Sequence, residues 1–172
     1  REMIFVLLSD HGDGFGEYEI EPGHGYSLRQ NQLHVPIVFY GPRWLPRGRL
    51  TEPASLVDVA PTLLDLFALA PLPRAQGRSL LPGRHDPPSA VYAERTWFLW
   101  DHRGPPLLAR ISADGTKLVS GRSTPLLWNL HESPCEDQAH ARSIDVDAAS
   151  ELARFQREQS ITAERWEAKY GA

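Results

Sequence analysis

Apolar residues run unbroken through positions 3–8 and stop at Ser9-Asp10-His11-Gly12. A short apolar run rich in strand formers and closed by a turn signal predicts a buried strand. We expect parallel pairing, with the last residues delivered to a sheet edge. Residues 33–40 predict a second strand, and Pro36 starts it or puts it at an edge. Between them lie a long glycine-rich loop over 9–27 and one or two helical turns from a Ser27 cap through Gln32. Leu56, Val59, Ala60, Leu63, Leu64 and Phe67 recur at i, i+3, i+4 and i+7, the stripe of a helix packed on a sheet. Pro61 falls harmlessly in the first turn if Asp58 is the N-cap, so the helix is expected over 58–68. Asp58 as a cap and Asp65 on a solvated face then need no functional role.

Beyond a Pro-, Gly- and Arg-rich excursion at 70–89, short strand candidates follow at 90–93, 97–100, 107–112, 116–119 and 126–130. Turn signals such as Asp114-Gly115 separate them, which predicts an antiparallel meander. Residues 147–169 are helical by composition, and Leu152, Phe155 and Trp166 mark a sparse buried face. The expected class is α/β. A partial, mostly parallel sheet with flanking helices occupies 1–89. A small antiparallel sheet and a terminal helix occupy 90–172.

Composition narrows the function classes. A chain of 172 residues, 41% hydrophobic and 23% charged, has globular values and can bury one core. Net charge is −4 with no basic run, which favours neither nucleic acid nor an anionic membrane surface as a partner. No apolar stretch is long enough to span a bilayer as a helix. The single Cys135 excludes an intrachain disulfide and is expected as a surface thiol in a turn. The opening residues do not read as a signal peptide. A core strand so near the start leads us to expect further sequence upstream.

Asp10 and His11 are the candidate metal ligands. A carboxylate beside an imidazole, at a strand end and before glycines that permit a tight loop, suits a divalent ion. Ligands of open α/β sheets collect beyond the carboxyl ends of strands. The tripeptide by itself reads better as an ordinary turn in which Asp10 caps backbone amides, and only its surroundings favour the ion. His24, between Gly23 and Gly25, is either a loop residue held by hydrogen bonds or a second point of contact with a ligand.

The surrounding motifs carry a resemblance. Leu8-Ser-Asp-His-Gly-Asp-Gly-Phe-Gly-Glu17, Gly23-His-Gly-Tyr-Ser-Leu28, Gln32-Leu-His-Val-Pro-Ile-Val38 and Gly41-Pro42 resemble the sulfatase family of the alkaline phosphatase superfamily. Ser55 to Leu66, Gly77-Arg-Ser-Leu-Leu-Pro82, and Leu126 to Pro134 with Glu136 continue it more loosely. It implies the C-terminal half of an alkaline-phosphatase-like fold and a metal-dependent hydrolase of sulfate esters. Asp10 and His11 would hold one divalent ion (calcium, or manganese or zinc), and His24 would touch the ester oxygens. The implied partner is a small-molecule or glycan sulfate or phosphate ester.

Departures limit the transfer. Ser27-Leu-Arg-Gln-Asn-Gln-Leu-His34 lacks the family's acidic pair, and His34, usually arginine there, is taken as structural. Cys135 does not lie in the motif that sulfatases convert to formylglycine. No Ser or Thr matches a family nucleophile, and two ligands leave an ion of this kind under-coordinated. The chain by itself is therefore expected to be inactive and marginally stable, with an unpaired strand edge and exposed apolar surface. Two alternatives stand beside the sulfatase. One is a phosphoryl-transfer relative: a phosphodiesterase, phosphonate monoester hydrolase or phosphoethanolamine transferase. The other is a non-enzymatic partial relative acting as a binding module.

Overall fold

The computed structural model describes residues 3–17, 22–84, 86, 88, 90–95, 107–121, 125–137, 140–142, 150, 152–155 and 157. The chain forms β1 (Phe5–Leu8), α1 (Gln30–Leu33) and β2 (Ile37–Tyr40). A 3-10 turn (Leu56–Asp58) then runs into α2 (Val59–Leu66). β3 (Ala90–Arg95), β4 (Leu107–Ser112), β5 (Thr116–Ser120) and β6 (Leu126–Asn129) follow. The mixed α/β class and the antiparallel meander are as expected. The sheet order is β3-β4-β5-β6, every pair antiparallel. Asp114-Gly115 makes the β4–β5 turn, where the Asp114 carboxylate accepts the Thr116 N–H at 2.9 Å. That bond holds its carboxyl below the usual range. The expected strand at 97–100 lies outside the described residues.

The first sheet departs from expectation. β1 and β2 pair antiparallel, Phe5 opposite Tyr40 and Leu7 opposite Val38. A parallel pair needs a crossover that carries the chain back along the sheet, usually a helix. Here α1 is only 4 residues long, and the preceding loop closes on itself through reciprocal Gly14–Gly23 hydrogen bonds of 2.9 Å. The chain therefore turns round and returns antiparallel. Nor is β1 buried: Phe5, Leu7, Val38 and Tyr40 share one face and are 57%, 63%, 46% and 59% exposed. An apolar run marks a segment that could be covered on both sides, but its cover must come from elsewhere.

α2 starts as the proline predicted, with Asp58 at its N-cap position. The Asp58 carboxylate is used elsewhere. It accepts the Ser55 N–H and the Arg78 N–H, both at 2.9 Å, closing a capping box with Ser55 and tying in the chain after Gly77. Asp65 is not freely solvated, since Arg84 Nε lies 3.5 Å from its carboxylate. α1 is not capped by Ser27. Its N-cap residue is Arg29, and Ser27 Oγ accepts the Arg29 N–H at 3.4 Å.

The core lies on the two faces of the meander. On one, Leu107, Ala109, Val119 and Trp128 pack against Leu28 and Leu33 from the segment around α1. On the other, Leu108 and Leu118 pack against Leu152. There the Phe155 ring stacks on Tyr92 at 4.1 Å and 6°. Residues 150, 152–155 and 157 are helical, as expected; Trp166 lies outside the described residues. Residues 1–89 and 90–172 thus meet through Leu28 and Leu33. Among the described residues no helix is long and apolar enough to cross a membrane.

The bare face of β1 and β2 should be visible in solution. Residues 1–172 alone are expected to bind an apolar dye and self-associate, and Leu7→Lys with Val38→Lys should suppress both. A monomeric, dye-silent chain by light scattering and fluorescence contradicts this.

Candidate active site

The end of β1 and the loop after it converge because α1 receives both. The Gly12 N–H donates to the Gln32 carbonyl at 2.9 Å, and the Gly25 N–H donates to Gln32 Oε1 at 3.1 Å. One buried glutamine therefore fixes the backbone beside His11 and beside His24. Position 12 must be glycine for this contact: a Cβ there would lie 2.0 Å from the Asn31 carbonyl oxygen. Gly23, at φ +130°, takes a backbone conformation that side chains resist, and it turns His24 toward His11.

The two imidazoles stack, with ring centroids 4.0 Å apart and 29° between planes. His11 Nδ1 lies 2.9 Å from the Gly12 carbonyl oxygen. A carbonyl only accepts, so Nδ1 carries the proton and neutral His11 presents a lone pair at Nε2. That nitrogen lies 3.6 Å from Asp10 Oδ2, while Asp10 Oδ1 accepts the His11 N–H at 3.0 Å. His24 Nδ1 lies 2.9 Å from Asp13 Oδ1. The carboxylate fixes that ring in the same way, leaving His24 Nε2 available. Near the loop's outer end, the Phe15 N–H donates to the Glu17 carboxylate at 2.6 Å and lowers its pKa.

These residues fit a divalent ion. Two donors 3.6 Å apart can both reach an ion at bonds of about 2.0–2.2 Å. Imidazole with carboxylate suits zinc or manganese better than calcium, which prefers oxygen alone. Asp13 was not among the expected site residues. One ligand atom from each of His11, Asp13 and His24 lies within 4.8 Å of the others. In sequence Asp13 looks like a turn residue between glycines, and only the Gly14–Gly23 closure brings it beside His24. His34 sits exposed at the C-cap of α1, where its N–H donates to the Gln30 carbonyl at 2.8 Å. Cys135 is exposed, in a turn, as expected.

Comparison with known proteins bears directly on this loop. The family model described as Sulfatase matches residues 1–69. The chain is sulfatase-like. It is 33% identical over 82 residues to arylsulfatase K of Gallus gallus, covering 48% of this chain and 15% of that enzyme. It is 31% identical over 105 residues to a Δ4,5-hexuronate-2-O-sulfatase of Bacteroides thetaiotaomicron, covering 56% and 21%. Among solved structures, one in complex with its substrate D-glucosamine-2-N,6-O-disulfate superposes with a TM-score of 0.63 at 21% identity. That match covers 98% of this chain and 34% of the other. A phosphonate monoester hydrolase from Silicibacter pomeroyi gives 0.62 at 21% identity, covering 94% and 35%. The fold is that of the alkaline-phosphatase-like sulfatases, and the chain spans about a third of these solved structures.

The Gly12 contact predicts a measurable asymmetry. Gly12→Ala should destabilise the chain by about 1–3 kcal/mol, the usual cost of overpacking. Gly48→Ala, in open space, should be close to neutral. Urea unfolding of the two variants checks this, and equal midpoints contradict it.

Proposed function

We propose that this chain supplies part of the active site of a metal-dependent hydrolase of sulfate esters. The observation that carries the reading is His11 Nε2 lying 3.6 Å from the Asp10 carboxylate, with a second oriented imidazole stacked beside it. Asp10 and His11 would hold one divalent ion. When bound, the ion supplies Lewis-acid stabilisation of charge on the ester oxygens. The chain's own residues do the rest that falls to them. The Gly12 carbonyl keeps the proton off His11 Nε2. Asp13 holds one proton on His24 Nδ1, so the outward Nε2, when it too is protonated, can donate to an ester oxygen. Further ligands and a nucleophile must complete the set, and we expect residues 1–172 alone to turn over no ester.

Two observations each favour a second reading. The grouping of His11, Asp13 and His24 within 4.8 Å suits His24 as a ligand. The likeness to a phosphonate monoester hydrolase suits phosphoryl transfer on the same scaffold. A binding module without catalysis is the reading left if the intact protein turns over no ester.

In the intact protein, Asp10→Ala and His11→Ala should each lower metal content and hydrolysis together, read by elemental analysis and a chromogenic sulfate ester. Unchanged metal stoichiometry in both variants refutes the assignment. His24→Ala should slow turnover by about 10²–10⁴-fold with the ion retained. Loss of the ion instead makes His24 a ligand. Faster turnover of a chromogenic phosphate or phosphonate ester than of the sulfate would reassign the chemistry to phosphoryl transfer.

A further inference from the structure

The meander reaches the site through charges that solvent does not touch. Lys117 in β5 is 0% exposed and Glu136 is 1% exposed. Lys117 Nζ lies 2.6 Å from Glu136 Oε1 and also donates to the Leu28 carbonyl. Glu136 Oε2 accepts the Gln30 N–H at 2.7 Å, and the Glu136 carbonyl accepts Arg29 Nη1 at 2.7 Å. The Arg29 guanidinium in turn lies over the Trp128 ring, 5.8 Å from its centroid. Residues 28, 29 and 30 are thus held in succession by one pair drawn from more than 85 positions downstream. Glu136 itself adopts φ +57°, a conformation that non-glycine residues keep only when their surroundings impose it.

We propose that the Lys117–Glu136 pair is a positioning device for the site, setting the seat of α1 and through it the placement of His24 against His11. The route is short and continuous. Glu136 holds Gln30 at the first turn of α1, and α1 carries Gln32. The Gln32 carbonyl and side chain hold Gly12 and Gly25, the neighbours of the two histidines. A buried ion pair is a poor way to gain stability, because desolvation offsets much of the attraction and apolar residues of similar size often serve as well. It is a good way to specify one geometry. Each donor and acceptor here has a directed partner, and a slip of α1 would strand a buried charge. The significance for catalysis rests on the hydrolase reading above; the positioning itself does not.

The test, in the intact protein, compares Glu136→Gln, Lys117→Met and the apolar double variant Lys117→Met/Glu136→Leu. Hydrogen exchange at the Gly12 and Gly25 amides, whose acceptors are both on Gln32, reports the seat of α1 without any need for turnover. In the double variant the melting temperature should return close to wild type. Both amides should nevertheless exchange at least tenfold faster, and kcat should fall at least tenfold with KM little changed. Wild-type protection at both amides in a folded double variant overturns the proposal and leaves the pair a packing feature. If the double variant does not fold, Glu136→Gln decides by the same exchange criterion, since the amide preserves volume but offers one acceptor oxygen where Lys117 and Gln30 each use one. A wild-type protein that turns over no ester refutes the proposed function, and the exchange data still decide this inference.

Discussion

A lysine and a glutamate with no access to solvent hold residues 28–30 against the C-terminal meander, and the arrangement of the candidate site follows from where that segment sits. Burial pulls the Lys117 ammonium below the ordinary lysine pKa, and the Glu136 carboxylate beside it pulls it back. Removing one partner of such a pair leaves an uncompensated buried charge, a cost of about 3–5 kcal/mol. Leu28, next to these polar contacts, buries its side chain with Leu107, Ala109, Val119 and Trp128. Apolar burial brings α1 to the sheet. The directed bonds decide its register there.

From that seat the site is built mostly from backbone. Gln32 binds the chain at Gly12 and at Gly25, and the Gly14–Gly23 bridge folds the loop between them. The histidines become a pair because their neighbours are pinned. Each ring then has its tautomer chosen locally, His11 by the Gly12 carbonyl and His24 by the Asp13 carboxylate. Both outward nitrogens are left to act as ligand, contact or proton donor. The imidazole and carboxylate donors stand just beyond the carboxyl end of β1, the side on which open α/β sheets gather ligands.

The β1–β2 sheet is the counterpart of this well-anchored region. Phe5, Leu7, Val38 and Tyr40 form an apolar face with no cover among the described residues. The meander has cover on both sides, from Leu28 and Leu33 on one and Leu152 and Phe155 on the other. The chain spans about a third of the solved structures it superposes on. Among the described residues its two sheets differ in cover: the C-terminal one has both faces packed, and the one that leads into Asp10 and His11 does not.

What the sequence by itself determined is what short-range chemistry controls. The apolar run ending at Ser9-Asp10-His11-Gly12, the turn at Asp114-Gly115, the Pro61 limit on α2 and the strands of the meander each depend on a few adjacent residues. All were legible. The sequence also singled out Asp10, His11 and His24, and the structure stacks the His11 and His24 rings. Tertiary structure alone decided the rest. The β1–β2 direction depends on a connection whose path no local pattern states. Asp13 joins His24 only after Gly14 and Gly23 pair. Lys117 stands in β5 beside Leu118, which is itself buried because both faces of the meander are covered, so period-two patterning could not mark it as an inward charge. Glu136 caps α1 from 106 positions away. Pairings at such separations depend on chain closure in space, and a linear pattern carries no record of it.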